Sequence, residues 1–178
     1  MMTIAGQPFL TDFQTQQLIS QFQQKTKLNV SQITTQQVYV LSREVEGDEH
    51  KKALDLLAVD SATVLAAPKA NQLQVIVGPR FGTISPWASK ATDIFNNCEI
   101  AINRVERVIV YTLTIDGKID GEASASNKLP PAAEQLLFDR MTQSLVYDLS
   151  DVSKLFDDQE PASLNHIDVI GQGQSALE

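Results

Sequence analysis

Apolar residues recur along this chain at two different periods, and the alternation between those periods marks out its elements. Thr3–Ala5 suits a short edge strand, which Gly6, Gln7 and Pro8 then interrupt. Thr11 with Gln14 reads as a capping box, predicting a helix to about Lys27 with Leu18, Ile19 and Phe22 on one face. Ten of the first 37 residues are glutamine, which this spacing assigns to a polar helix face. Gln37–Leu41 reads as a strand, and Gly47–Asp48 opens a second helix with Leu54, Leu57 and Ala58 inward. A similar order then returns. Leu73, Val75 and Val77 mark a strand, and Ser85 followed by Pro86 predicts a capped helix running to about Cys98. The next segment is the best-patterned strand: Val105, Ile109, Tyr111, Leu113 and Ile115 line one face, and Glu106, Thr112 and Thr114 line the other. Asp116–Pro131 is a loop rich in Gly, Ser and Pro, readable as a hairpin extension or a mobile segment. Ala132–Tyr147 is predicted as a helix on its Leu137, Met141, Leu145 stripe.

The order is therefore β-α-β-α, written twice at an offset of roughly 65 to 75 residues by these boundaries. Two such halves each supply half a core. The expected fold is an α+β two-layer sandwich, a pseudo-dimeric repeat with an antiparallel sheet and helices packed on it. The expected division is a domain over 1–148, with halves of about 1–70 and 71–148, then the start of a linker over 149–178. Within that last stretch Val152, Leu155 and Phe156 suggest an amphipathic turn, and Ile167–Ile170 a short strand. The final residues, Gln174 to Glu178, read as a helix start cut short, which points to a truncated piece.

Composition narrows the function classes. With 178 residues, 43% of them hydrophobic, the chain is long enough to bury a core without disulfide or metal staples. Fourteen basic against 22 acidic residues give a net charge of −8, which argues against a general nucleic-acid binder. No apolar run approaches the roughly 18 residues that span a bilayer, and no signal-peptide pattern opens the chain. The cytoplasm is the expected compartment, with neither nucleic acid nor membrane as partner.

Several motifs carry chemistry only in the right setting. Gly171-x-Gly173-x-x-Ala176 has the spacing of a dinucleotide fingerprint, but no second strand or acidic residue follows it, so a glycine turn is the better reading. Cys98, the one cysteine, has no histidine nearby in sequence to serve as its base. His50 and His166 read as surface residues, and two histidines with one cysteine make a poor zinc set. The most informative stretch is Val77–Ile94: a strand, a Gly/Pro loop carrying Arg80, then a capped helix with Ser89 and Lys90 in its first turns. The helix N-terminus, with Arg80, Ser85, Ser89 and Lys90, suits either an anion contact or an interface. The same residues also suit a rigid capped loop with Trp87, the only tryptophan, packed beneath it.

The stretch Gly78-Pro79-Arg80, Gly82-Thr83-Ile84-Ser85-Pro86-Trp87 and Ser89-Lys90-Ala91-Thr92-Asp93-Ile94 resembles the N-terminal domain of phosphoribosylformylglycinamidine synthase, large single-chain type. Asn97-Cys98, Arg104-Val105-Glu106-Arg107 and Asp168–Gly173 fit the same pattern. Two positions depart from it: Phe81 stands where proline is expected, and Ala88 where serine is expected. The resemblance implies an enzyme of de novo purine synthesis that converts formylglycinamide ribonucleotide, ATP and glutamine to formylglycinamidine ribonucleotide. It implies partners in the same chain, namely a synthetase domain using ATP and Mg²⁺ and a glutaminase domain. It also implies that this segment resembles a fused dimer of a small subunit found in split versions. No catalytic, cofactor or metal residue carries over, so the segment is expected to act as a non-catalytic adaptor that supports ammonia transfer. The alternative is a stand-alone module that binds phosphate or another small anion.

Overall fold

A computed structural model describes residues 1–26, 28–59, 65, 67–116, 128–157, 163–164 and 166–176. The expected loop over Asp116–Pro131 lies largely outside the described residues. Five strands make one sheet: β1 (Met2–Ala5), β2 (Val30–Leu41), β3 (Gln72–Pro79), β4 (Val105–Ile115) and β5 (Gln143–Val146). Every pairing is antiparallel, in the order β1-β2-β4-β3-β5. The three long helices are α1 (Asp12–Lys25), α2 (Gly47–Leu57) and α3 (Pro86–Asn97). The α+β sandwich is as expected. Exchanging β1 with β3 and β2 with β4 only reverses the first four strands of the order, as a twofold axis between β2 and β4 requires.

Local chemistry sets the helices. The Thr11 hydroxyl accepts the Gln14 N–H, and the Gln14 side chain accepts the Thr11 N–H at 2.9 Å, which completes the capping box. Thr26 ends α1, its hydroxyl donating back to the Phe22 carbonyl at 2.7 Å. Strand β2 begins seven residues before the alternating stretch, because Val30 and Gln32 to Gln37 pair with β4, with a bulge at Ser31, although their apolar alternation is poor. The glutamines accordingly divide: six lie on α1 and three on β2.

The helices cover one face of the sheet. Phe22 meets Ile33, Val75, Tyr111 and Leu113 at one end. Ala53, Ala91 and Phe95 meet Ile4, Leu41 and Val105 at the other. On the back face Val38, Val40, Ile76, Val108 and Val110 are buried beneath Val152 and Leu155. Those two belong to the 3-10 segment Leu149–Phe156, so residues placed at the head of the linker lie on the sheet. The rest of the back face is polar, with Gln72 and Gln74 reaching across to Thr114 and Thr112 at 3.4 Å.

Two expected elements are corrected. Ala132–Tyr147 is not a helix. A single turn, Pro131–Glu134, is followed by a loop and by β5, which pairs along the outer edge of β3. The predicted stripe fails at its centre: Leu137 is buried, but Met141 is 79% exposed. Asp139 stops a helix there, its carboxylate accepting the Met141 N–H and the Thr142 hydroxyl in a local turn. Ile167–Ile170 is not a strand either. Asp168 caps a one-turn helix, Val169–Gln172, whose Ile170 is fully exposed.

Candidate functional site: the loop that opens α3 and its buried ion pair

Strand β3 ends in Gly78-Pro79, and the chain turns through Arg80–Ile84 before α3 begins. A Cβ at Gly78 would stand 2.9 Å from a Val108 methyl, so glycine permits the close approach of β3 to its neighbour β4. Gly82 takes a positive φ of 77°, the conformation the turn needs. Within the turn the Thr83 N–H and hydroxyl both donate to the Arg80 carbonyl. The Arg80 N–H donates to the Thr142 carbonyl and the Phe81 N–H to the Ser144 hydroxyl, which ties the loop to β5.

At the end of this turn the Ser85 hydroxyl accepts the Ala88 N–H at 2.9 Å, the N-cap of α3, and Pro86 occupies the first helical position. The Ser85 hydroxyl also donates to Glu106 Oε2 at 3.0 Å, and its N–H donates to Glu106 Oε1 at 3.2 Å. Glu106 is fully buried. Arg104, two residues earlier on the same side of the chain, pairs with it at 2.7 Å. The Arg104 guanidinium also donates to the Thr83 carbonyl at 2.6 Å and to the Leu155 carbonyl at 2.7 Å. The positive end of α3 thus has an anion at hand, supplied by the protein's own β4. Charge-assisted bonds of this kind offset the desolvation of a buried carboxylate, and removing one partner of such a pair costs about 3–5 kcal/mol.

The four residues singled out in the sequence do not converge on one point. Ser85 turns inward to Glu106. Arg80 is exposed, with Nη1 at 3.5 Å from the Met141 carbonyl. Ser89 is exposed, its hydroxyl 3.4 Å from the Ser85 carbonyl, and Lys90 is exposed on the next turn. Trp87 is half-buried between Tyr39, stacked at 5.8 Å, and the Arg107 guanidinium, 5.2 Å from its ring centre. Cys98 is half-exposed after the last turn of α3, in an open groove it shares with Lys52, Asp55, Leu56, Asn97 and Glu99. Among the described residues no three His, Cys, Asp or Glu side chains come together as metal ligands would. No helix among them is long and apolar enough to cross a membrane.

Arg104 and Glu106 were missed as a working pair by the sequence reading, which placed Glu106 with two threonines on a polar face. The signal was there: an acid inside a strand of mostly apolar residues, with an arginine two residues away, shares a strand face with that arginine.

Strands β3, β4 and β5, the lead-in to α3 and its Arg-x-Glu pair all fall within residues 35–156, the span matched by the model of the formylglycinamide ribonucleotide amidotransferase N-terminal family. The chain belongs to that family. The match runs from within β2 to the last residue of the 3-10 segment, so the family's domain includes the back-face cover. In this amidotransferase N-terminal domain the α3 lead-in loop is bonded within itself, to Arg104, to Glu106 of β4 and to Ser144 of β5.

Proposed function

We propose that this chain is the non-catalytic adaptor at the N-terminus of a phosphoribosylformylglycinamidine synthase. That enzyme, in de novo purine synthesis, uses ATP and glutamine to convert formylglycinamide ribonucleotide to formylglycinamidine ribonucleotide. The adaptor comprises residues 1–148 and the cover of 149–156, with the linker following. Its partners are the synthetase and glutaminase domains of the same chain, and its role is to hold them so that ammonia passes between them. The cytoplasm is the compartment this role implies.

One observation carries the reading: the only fully buried carboxylate among the described residues, Glu106, is saturated by Ser85 and Arg104 and so is closed to substrate. Among the described residues no three His, Cys, Asp or Glu side chains cluster, and Gly171 lies within a single helical turn, Val169–Gln172. We assign ATP and Mg²⁺ to the synthetase domain. Arg80 on the lead-in loop and Ser89 and Lys90 in the first turns of α3, all exposed, are proposed as docking contacts with it.

The test is complementation. The rest of the synthase, produced without this segment, is assayed alone and with the 178-residue chain added. The expected result is that glutamine hydrolysis and ligation are coupled only in the mixture. Full coupling by the remainder alone overturns the adaptor role. A saturable change in Trp87 fluorescence on titrating phosphate esters, with no such remainder present, points instead to the anion-binding module.

A further inference from the structure

Two stretches of chain flank the start of β4 without belonging to the sheet. One is the lead-in to α3, Thr83–Ser85. The other is the 3-10 segment Leu149–Phe156, from which the chain leaves the back face. Both converge on one pair of side chains. Arg104 Nη2 donates to the Thr83 carbonyl at 2.6 Å and to Glu106 at 2.7 Å, while Nη1 donates to the Leu155 carbonyl at 2.7 Å. Glu106 holds the other side, through the N–H and hydroxyl of Ser85. The Phe156 ring lies 5.9 Å from the guanidinium carbon. Arg104 Nε is buried with no partner among the described residues, so the grip passes entirely through the two Nη nitrogens.

We propose that Arg104 and Glu106 form a clasp that makes the α3 lead-in loop and the 3-10 segment one mechanical unit, so that displacing either releases the other. The physical reason is the rigidity of the guanidinium fork. Its planar donors reach two carbonyls from different segments only while both stay in place. If Leu155 withdraws, a mostly buried cationic donor loses its acceptor, and the guanidinium swings out to regain water. Thr83 and Glu106 then lose the same group, and with Glu106 goes the anchor of Ser85. The clasp thus transmits a push on the exposed lead-in loop to the point at which the chain departs from the sheet.

Hydrogen exchange read by mass spectrometry on the 178-residue chain tests this with a double-mutant cycle. Val152→Ala loosens the 3-10 segment through its buried side chain, away from the clasp itself. In the otherwise natural chain it speeds exchange over residues 149–156 and also at Thr83–Ala88, by about tenfold at each if the segments open together. In an Arg104→Gln background the second response disappears, because the lead-in loop is already released. The centre of β2 and β4 stays protected in all variants. Acceleration confined to 149–156 overturns the proposal. So does an equal response at Thr83–Ala88 with Arg104→Gln, which would trace the coupling to Phe81, an apolar neighbour of the same back-face cluster. Should Arg104→Gln not fold, Arg104→Lys takes its place, since it keeps a positive charge by Glu106 without the fork. The same two outcomes then decide.

Discussion

The hydroxyl of Ser85 serves two partners at once, accepting the Ala88 N–H at 2.9 Å and donating to Glu106 at 3.0 Å. A helix cap is thereby welded to a buried ion pair on β4. Sequence rules treat a Ser-Pro pair as a local signal for the start of a helix. Here the signal is also tertiary, because it orients the positive end of α3 towards a carboxylate that the sheet carries.

Substitution at Ser85 separates these two roles. Ser85→Ala removes the cap and leaves Glu106 Oε2 without its donor, a combined loss of about 2–4 kcal/mol. Ser85→Asp restores an acceptable cap by the usual ranking, yet places a second carboxylate against Glu106. We expect the aspartate variant to be the less stable of the two at neutral pH. Urea unfolding midpoints compare them directly, and an aspartate variant as stable as the natural chain would show that Glu106 does not sense this position.

The close approach of the two strands at Gly78 makes a steric prediction. A methyl group there meets Val108 at 2.9 Å, and Val108 is a buried β-branched residue with little room to turn. Gly78→Ala is expected to cost about 1–3 kcal/mol, as overpacking does. Val108→Ala in the same chain should recover part of it, so the double variant is more stable than the sum of its single losses predicts. Thermal or urea unfolding of the four proteins gives the coupling.

How much of this was legible follows from where the information resides. Helices α1 and α3 were readable because Thr11 with Gln14 and Ser85 with Pro86 carry their own caps. The core face of β4 was readable because Val105 and Ile109–Ile115 alternate through a strand buried along its length. The antiparallel sandwich followed from the doubled order of elements. Strand β5 was hidden: Leu137, Met141 and Leu145 stand at helical spacing, and only the unpaired edge of β3 decides that Leu145 joins a strand. The first half of β2 was hidden for a related reason, its glutamines and threonines being strand residues by virtue of pairing with β4. In the candidate site the residues of the lead-in loop were found, but their partners were not. Which groups face Ser85 depends on a strand twenty residues further on.

Acid titration probes two exposed turns. Bonds from the Met141 N–H and the Thr142 hydroxyl hold the Asp139 carboxyl below its ordinary value, and the Ser150 N–H and hydroxyl do the same for Asp148. A lowered pKa means that the folded turn favours the carboxylate. Its contribution is present at neutral pH and fades as pH falls through the folded value. Carboxyl NMR shifts should therefore place both groups below an ordinary aspartate, and Asp148→Asn should make the start of the 3-10 segment less sensitive to acid.

Tyr147 makes the opposite prediction at the alkaline end. Its hydroxyl accepts the Leu129 N–H at 2.8 Å and donates to Glu134 at 2.7 Å. Burial, and then the bond to the Glu134 carboxylate, raise the phenol well above its ordinary value of 10.0, against the opposing pull of the Leu129 N–H. Burial raises Tyr111 as well. The fold favours the protonated phenol, so this stabilisation is complete below pH 10 and is lost as pH climbs beyond it. Tyr147→Phe leaves the Leu129 N–H and Glu134 unpartnered by the phenol, a cost of about 1 kcal/mol at neutral pH. It also removes one of the two raised phenols. Urea midpoints measured from pH 7 towards pH 11 should fall less steeply for the phenylalanine variant than for the natural chain, the two curves converging as alkalinity rises. Parallel curves would mean that the Tyr147 phenol ionises with equal ease folded and unfolded, and that its bond to Glu134 does not persist in solution.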